Sequence, residues 1–384
     1  MVNWLTKKLE EICDFISGNQ NINKSKATTN GKYPAYSASG QDIFLDTYEH
    51  EGSAIIVSWI GARCGKCFLA EGRWTAIANT QILKIKNEDE CDYKYLFYFL
   101  NDEKKWPRVG GAQPYISKPR AKKIEVPLPP LHIQKRIVAR IEEFFEKIDK
   151  VKELRKKVQE ETEQIFSLAL EKVFREGEKK YKKRKLEEVL ELNQSGIWGE
   201  KPINPENSYP VIRSTEITHT GELNLDSVAI REIKPDKVDK YSLANGDILI
   251  VKSSGSVNLI GRCAIFKNPS NKKKFLFSNF IQRFRPNKKL IVPKFLYYFL
   301  NSEGKKFVRY LMTTTTGLRN LPIKQYVKLK IPLPPLSEQK RIVVYLDNLR
   351  EKVEKLKKLQ EEQLKDLEEL KKSILEKAFK GELL

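Results

Sequence analysis

The closest pair of cysteines is Cys64-Gly65-Lys66-Cys67, a spacing found in zinc sites and in redox-active dithiols. A structural zinc site needs a second pair of ligands. The chain has five cysteines and three histidines, and they provide no second pair with this spacing. The sequence therefore favours a hairpin turn at this position over a metal or redox site, and we expect no metal.

Motifs that carry nucleotide or cofactor chemistry are missing from the sequence. It contains no GxxxxGK[ST] phosphate loop, no glycine-rich strand-to-helix turn suited to S-adenosylmethionine, and no Asn-Pro-Pro-aromatic tetrad of the kind an adenine methyltransferase needs. Nuclease carboxylate clusters are too variable to judge from sequence alone. We expect a chain without enzymatic activity and without a cofactor.

Residue types that contact nucleic acids occur in two pairs of loops. GAQPYIS at 111–117 and TGLRNL at 316–321 combine small residues with Gln, Arg and Asn, which can pair with purine edges. Basic and hydroxyl side chains follow two β-rich runs, SAIIVSWIG at 53–61 and GDILIVKSS at 246–254. Ordinary connecting loops with solvated side chains are the alternative for both pairs.

A stretch of sixteen residues occurs twice. VPLPPLHIQKRIVARI at 126–141 and IPLPPLSEQKRIVVYL at 331–346 share ten identities. Their offset of 205 residues persists without a gap as far as 170–175 and 375–380. Because loops tolerate insertions and packed helices do not, this repeat predicts one rigid helix in each copy. The prolines keep the chain extended before each helix.

Apolar residues follow in steps of four and three, the heptad pattern of helices that pack along a seam. We predict helices of roughly 44 residues, about 66 Å long at 1.5 Å per residue. For Ile141, Phe144, Val353 and Leu356 we expect packing between the two helices, with a partner surface as the alternative. The seam positions are Ile137, Ile141, Phe144, Ile148, Val151 and Val158, then Ile342, Leu346, Leu349, Val353, Leu356, Leu367, Leu370 and Ile374.

The rest of the chain is repeated as well, since KYLFYFLN at 94–101 resembles KFLYYFLN at 294–301. Short β-rich runs that end in Gly, Asn and Ser turns predict an α+β fold for each copy. We predict two similar globular domains, at 1–130 and 179–336, and two helical spacers, at 131–178 and 337–384.

A second internal match predicts how these parts are connected. Lys8–Ile12 resembles Lys185–Val189, which opens the second domain just after the first helix. Lys8–Ile12 should therefore lie near the end of the second helix. We expect a cyclic repeat with an approximate twofold axis, in which a long antiparallel two-helix coiled coil separates the two domains.

Positive charge is concentrated in the predicted domains. The chain has a net charge of +21, but residues 132–178 carry a net charge of zero and residues 337–384 carry +1. The remaining residues therefore hold +20. Two basic domains joined by neutral helices suit a rod-shaped polyanion, and duplex DNA is the obvious candidate.

With these features, the chain resembles the specificity subunit of type I restriction–modification enzymes. The PLPPL–xxQKRI stretch, present twice, carries the resemblance together with YPAYSASG at 33–40 and GDILIV at 246–251. The resemblance implies two target recognition domains that each read one half of a gapped site in double-stranded DNA. It also implies that the helix pair sets the gap and binds two methyltransferase subunits and, through them, motor–nuclease subunits.

Residue types and internal equivalence select the candidate DNA contacts. In the first domain these are Ser37, Ser39, Arg63, Lys66, Asn79, Gln113, Tyr115 and Ser117. In the second domain they are Arg213, Ser214, Lys252, Ser253, Ser254, Arg262, Asn279, Arg319, Asn320 and Lys324.

The repeated polar triplets near the helix starts are candidates for partner binding. They are Gln134, Lys135 and Arg136 in the first copy and Gln339, Lys340 and Arg341 in the second. A hydrogen-bond network at each helix start is the alternative reading of these triplets.

Two other functions stay open at this point. One is a self-contained DNA-modifying enzyme, and the other is a coiled-coil hub that binds acidic proteins. The cysteine usage and the absence of a signal peptide or a long apolar run lead us to expect a cytoplasmic protein.

Overall fold

The computed structural model describes residues 4–22, 24, 31–269, 273–313 and 320–383. The chain forms two compact units. Unit 1 comprises residues 1–156 and 361–384, and unit 2 comprises residues 157–360. Each unit therefore combines one globular domain with a segment from each of the two long helices.

The globular part of unit 1 is mostly β-structure with short helices. Its helices are α1 (Leu9–Ile12), α2 (Tyr93–Leu100) and α3 (Lys118–Ala121). Its strands are β1 (Thr6–Lys8), β2 (Cys13–Ser17), β3 (Tyr33–Ser37), β4 (Gly40–Leu45), β5 (His50–Glu51), β6 (Ala54–Ser58), β7 (Cys67–Ala70), β8 (Arg73–Ala76), β9 (Thr80–Ile85), β10 (Arg108–Val109), β11 (Tyr115–Ile116) and β12 (Glu125–Pro127).

Two four-stranded sheets form the core of this domain. Their strand orders are β2-β9-β6-β7 and β4-β3-β8-β5, and two ribbons, β1-β12 and β10-β11, flank them. All five residues of β6 are buried, as the apolar run AIIVS requires of a strand covered on both faces. This central strand ends at Ser58, directly before the predicted contact loop.

The globular part of unit 2 contains α5 (Pro235–Tyr241), α6 (Pro293–Phe299), α7 (Lys305–Thr313) and α8 (Ile323–Tyr326). Its strands are β13 (Lys183–Lys185), β14 (Leu190–Ser195), β15 (Ser208–Ile212), β16 (Ala229–Glu232), β17 (Ile248–Val251), β18 (Cys263–Ile265), β19 (Leu276–Phe277), β20 (Ile281–Pro286) and β21 (Lys330–Pro332).

The sheets of unit 2 repeat those of unit 1. The order β14-β20-β17-β18 matches β2-β9-β6-β7, and β16-β15-β19 matches β4-β3-β8. The second sheet of each unit contains one parallel pair, β3 with β8 and β15 with β19. The predicted α+β fold, present in two similar copies, is confirmed.

The two long helices are α4 (Leu131–Lys180) and α9 (Leu336–Phe379). In unit 1 they run antiparallel, because Asp149 pairs with Lys371 at 2.6 Å and Lys152, further along α4, pairs with the earlier residue Glu368. In unit 2 Thr162 contacts Gln360 at 3.0 Å, and the next residue of α4, Glu163, lies 3.7 Å from the earlier residue Lys357, so the direction is the same. The predicted antiparallel helix pair is confirmed in each unit.

The seam between the helices is partly as predicted. Ile137, Ile141 and Ile148 are buried against Ile374 in unit 1, and Leu346 and Val353 are buried in unit 2. Four of the predicted seam residues are two-fifths exposed or more, so the partner helix covers them only in part: Val151, Val158, Leu356 and Leu370.

Matching contacts hold the long helices to each globular domain. In unit 1 the ring of Phe379, near the end of α9, lies 5.3 Å from Tyr95 and 5.2 Å from Phe99. In unit 2 the ring of Phe174, on α4, lies 5.4 Å from Phe295 and 5.3 Å from Phe299. Each domain thus receives the start of one long helix and the end of the other.

The two ends of the chain belong to the same unit. Trp4 and Leu383 pack against one apolar cluster, and Phe379 also packs against the cluster that contains Leu9. This placement confirms that Lys8–Ile12 lies near the end of the second helix, as the cyclic repeat predicted.

Among the described residues, no helix combines the length and the apolar character that a bilayer crossing requires.

Candidate nucleic-acid interface

Three segments of unit 1 meet where β6 ends, and we call them the loop surface of unit 1: residues 59–66, 78–79 and 113–116. The amide of Trp59 donates to the carbonyl of Asn79 (2.9 Å), and the amide of Ile116 donates to the carbonyl of Trp59 (3.0 Å). Gly61 donates to the carbonyl of Pro114 (2.8 Å). These backbone bonds bring the predicted contact residues Arg63, Asn79, Gln113 and Tyr115 onto neighbouring loops.

The loop surface of unit 2 is built in the same way from residues 252–262, 279–280 and 320–321. The amides of Lys252 and Ser253 donate to the carbonyl of Phe280 (3.0 and 3.2 Å), and Leu321 donates to the carbonyl of Lys252 (2.6 Å). Ser253 and Asn320 form a β-bridge where Ile60 and Tyr115 form one in unit 1. The two units therefore present equivalent loop surfaces.

Several basic side chains on these surfaces lack a carboxylate partner among the described residues. Arg63 is exposed and donates to the carbonyl of Ser39 (3.2 Å). Arg262 donates from Nε to the carbonyl of Asn258 (3.1 Å), and Lys252 donates to the hydroxyl of Ser195 (2.6 Å). Positive charge left without an ion pair is available to an anionic ligand.

The turn before β9 differs from its counterpart before β20. Asn79 is exposed and has a φ of 65°, a left-handed conformation that Asn adopts more readily than most residues. In unit 2 Asn279 is exposed and accepts a 3.5 Å hydrogen bond from Ser195 through its carbonyl. Its neighbour Phe280 is 52% exposed. An exposed aromatic ring beside basic groups can stack on a base or pack on a sugar.

The remaining candidates at the loop surfaces have varied surroundings. Ser254 accepts a hydrogen bond from the amide of Ser256 (3.1 Å), and Ser117 precedes α3 and is half-buried. Lys66 is half-buried, whereas Gln113, Tyr115, Asn320 and Lys324 are exposed. Arg319 lies outside the described residues.

Two predicted DNA contacts form hydrogen bonds to carboxylates within the protein. Ser37 is 3% exposed and donates to Asp42 (2.7 Å). The guanidinium of Arg213 donates to the buried carboxylate of Glu216 (2.6 Å from Nη2), beside the half-buried Ser214. These contacts favour a structural role for Ser37 and Arg213, because direct readout would require each side chain to give up its internal partner.

The two repeated glutamines are also internal. The side chain of Gln134 is fully buried; its amide donates to the carbonyls of Glu90 (2.7 Å) and Pro129 (2.8 Å) and accepts from the amide of Asp92 (2.9 Å). Gln339 makes the same three contacts with Leu290, Pro334 and Val292. For the glutamines this geometry favours the hydrogen-bond network at the helix start over partner contact.

The basic residues of the same triplets point outward. Lys135, Arg136, Lys340 and Arg341 are all exposed. Arg341 donates to Glu338 (2.8 Å), which raises the pKa of this guanidinium. The exposed parts of the two triplets remain candidates for partner binding.

The cysteine pair lies in the interior. Cys64 and Cys67 are buried, and desolvation raises the pKa of the Cys67 thiol well above its usual range. Desolvation also raises the pKa of Cys91 and of Cys263 to about 12. Thiols with raised pKa values are poor nucleophiles and poor metal ligands at neutral pH. The described residues contain no cluster of His, Cys, Asp and Glu suited to a metal ion.

Three residues at or beside the loop surfaces were not among the contacts predicted from the sequence. They are Trp59, Ser195 and Phe280, which the strand pairing places at the loop surfaces. Trp59 and Phe280 adjoin residues that were predicted, so their position beside turn signals was the available clue. Ser195 lies at the end of β14, far from Lys252 in the chain, and no local signal marks it.

Comparison with known proteins supports this architecture. Among curated relatives, a putative type I restriction enzyme specificity subunit of Haemophilus influenzae is 23% identical over 360 residues, covering 90% of this chain and 87% of that protein. The putative MjaX specificity subunit of Methanocaldococcus jannaschii is 30% identical over 199 residues, covering 51% of this chain and 44% of that protein.

Solved structures share the fold. A chain from a type I R-M system, studied for its assembly and conformational transition, matches with a TM-score of 0.70 at 20% identity, covering 99% of this chain and 98% of that one. The HsdS subunit of Thermoanaerobacter tengcongensis matches with a TM-score of 0.58 at 21% identity, covering 99% and 97%. The family model for the type I restriction modification DNA specificity domain matches residues 1–160 and 178–365. The chain therefore belongs to the family of type I restriction–modification specificity subunits.

Proposed function

We propose that this chain is the DNA-recognition subunit of a type I restriction–modification complex and acts in the cytoplasm. Each globular domain contacts one half of a two-part site through its loop surface. The gap between the half-sites is set by α4 and α9. The chain supplies recognition, and methyl transfer belongs to partner subunits.

The observation that carries the proposal is the repetition of one loop surface in two basic domains. In both units, equivalent backbone hydrogen bonds join three segments. These are the end of the central strand (β6 or β17), the turn before β9 or β20, and the loop before α3 or α8. The residues outside the two helical segments hold +20 of the net charge of +21. Phosphate contacts from basic side chains supply affinity, whereas loops that differ between the units supply sequence discrimination.

Partner binding is assigned to the helices and their starts. Two methyltransferase subunits bind the exposed faces of α4 and α9, with Lys135, Arg136, Lys340 and Arg341 as repeated polar contacts, and motor–nuclease subunits join through them. Because the chain is internally repeated, it presents two similar surfaces, which suits two identical partners.

Methylome sequencing tests the proposal directly. Cells that carry this chain with its methyltransferase partner should acquire methylation at one two-part, gapped motif, and cells without the chain should lose it. Methylation without a two-part motif would contradict the proposal.

Two binding assays separate the alternatives. Tight binding of S-adenosylmethionine by the isolated chain would favour a self-contained enzyme. Indifference to DNA in an electrophoretic shift assay would favour a hub for acidic proteins.

A further inference from the structure

Equivalent positions at the two loop surfaces carry side chains of opposite character. Trp59 follows β6 and Lys252 follows β17, and both strands are central in matching sheets. The backbone amide of each residue donates to a carbonyl of the turn before β9 or β20. Its carbonyl accepts from a backbone amide in the loop before α3 or α8. One backbone position therefore holds an indole in unit 1 and an amine in unit 2.

Lys252 sits in an unusual environment for a lysine. It is half-buried, and its Nζ donates a 2.6 Å hydrogen bond to the hydroxyl of Ser195. It forms no ion pair with a carboxylate of the described residues, unlike Lys294, which pairs with Asp347 at 2.7 Å. Desolvation lowers the pKa of Lys252, so the folded protein does little to stabilise its charge. A bound ligand that accepts hydrogen bonds from this ammonium group would therefore stabilise its charge.

The hydrogen bond to Ser195 also limits where the amine can point. Lysine binds phosphate as a point charge on a flexible four-carbon stem, which needs no fixed direction. A lysine that is half-buried and tethered at 2.6 Å still has two N–H groups to donate, in fewer directions. Directional donors suit the O6 and N7 acceptors of guanine in the major groove.

Unit 1 has no positively charged donor at the matching position, which is occupied by Trp59. The indole of Trp59 lies 6.5 Å from the ring of Phe15 and 6.0 Å from that of Trp106, with edge-to-face geometry in both pairs. An aromatic cluster can contact a base by packing, but it carries no positive charge. The two units therefore cannot read the matching base in the same way.

We infer that Lys252, positioned by Ser195, is a specificity-determining residue that reads a guanine in the half-site bound by unit 2. This inference rests on the proposed function. The apolar contact from Trp59 replaces it in unit 1, so one guanine contact distinguishes the two half-sites.

The test selects binding sites from random duplex DNA with the full chain and its methyltransferase partner at fixed salt. Lys252→Met should relax one guanine position of one half-site by about tenfold and leave the other half-site unchanged. Lys267→Met is the matched control, because Lys267 is an exposed lysine of the same unit, and the motif should be retained. Thermal unfolding checks that each variant is folded.

Other outcomes are informative. Ser195→Ala keeps the amine but removes its tether, so it should weaken the same position less than Lys252→Met does; it also serves if Lys252→Met fails to fold. A uniform loss of affinity for all sequences with a shallower salt dependence would reassign Lys252 to a phosphate and overturn the inference. An unchanged motif in both variants would overturn it too. A wild-type complex that selects no two-part motif would instead contradict the proposed function.

Discussion

The side-chain amide of Gln360 donates a 3.0 Å hydrogen bond to the hydroxyl of Thr162, and both side chains are 2% exposed between α9 and α4. Polar pairs inside a helix seam fix the alignment of the helices, since any shifted packing leaves a buried polar group unpaired. The two helix sequences repeat at an offset of 205 residues, so Thr162 corresponds to Leu367, an apolar residue that packs in the seam of unit 1. This polar pair therefore marks unit 2 alone.

Removing one partner of this pair should lower the free energy of unfolding more than removing both partners does. Thr162→Val leaves the Gln360 amide buried without an acceptor, and we expect a loss of about 1–3 kcal/mol in the free energy of unfolding. Thr162→Val combined with Gln360→Leu should recover most of that loss. Urea denaturation measures both, with the exposed Gln363→Leu as control. Equal stability of the single variant and the wild type would show that the hydrogen bond does not contribute.

Gln339 and Lys340 are neighbours with different expected roles. Gln339→Ala removes the partner of the Val292 amide and of two carbonyls, so we expect the free energy of unfolding to fall by about 1–3 kcal/mol. Lys340→Ala should leave stability within about 0.5 kcal/mol, as is usual for an exposed residue, and should weaken binding of the methyltransferase subunit. Thermal unfolding and a pull-down measure the two effects. A Gln339→Ala protein of unchanged stability would contradict the assignment.

Asp247 is the carboxylate at the centre of a buried ionic cluster in unit 2. It accepts two 2.7 Å hydrogen bonds from Arg285 and one of 2.9 Å from the amide of Ala244, and it lies 3.8 Å from Arg283. Asp247→Asn removes the negative charge that the buried Arg283 and the partly exposed Arg285 share. We expect a loss of about 3–5 kcal/mol in the free energy of unfolding.

The control for this cluster is Asp239→Asn, which removes a surface pair with Lys274 at 2.5 Å. Exposed ion pairs contribute roughly 0–1 kcal/mol, so this variant should unfold almost as the wild type does. Denaturation curves that place both variants at the same midpoint would show that burial does not amplify the ionic interaction here.

The proposed spacing role of the helices predicts the effect of lengthening them. One heptad inserted after Lys157 in α4 and one after Glu362 in α9 preserve the seam and add about 10 Å. The gap between half-sites should grow by about 3 base pairs, with both half-sites unchanged. Motif selection or methylome sequencing measures the gap. An unchanged gap would refute the spacing role, and an insertion in one helix alone serves as the mismatched control.

Much of the fold could be predicted because the sequence repeats itself. The constant offset of 205 residues identified α4 and α9, and their heptads identified Ile141 and Val353 as seam residues. The same pattern did not show that Val151 and Leu370 stay more than two-fifths exposed, because periodicity marks an apolar stripe without showing how far the partner helix covers it.

The candidate interface was less predictable because tertiary pairing decides which polar groups stay free. Arg213 looked like a free cation until the fold placed Glu216 against it. The match between Trp59 and Lys252 has an offset of 193 residues, whereas that between Tyr115 and Asn320 has 205. Insertions between these segments hide the equivalence from a linear comparison.

The helix attachments described above have a consequence for modular exchange. In unit 1 the contacts between the globular domain and the long helices include the backbone groups that bind Gln134, the two rings of Tyr95 and Phe99 that contact Phe379, and the ion pair of Lys94 with Glu142. In unit 2 Gln339 makes the equivalent hydrogen bonds, and Phe174 makes the equivalent ring contacts. We therefore expect that a foreign recognition domain that provides equivalent contacts can be grafted onto α4 and α9 without changing the helices.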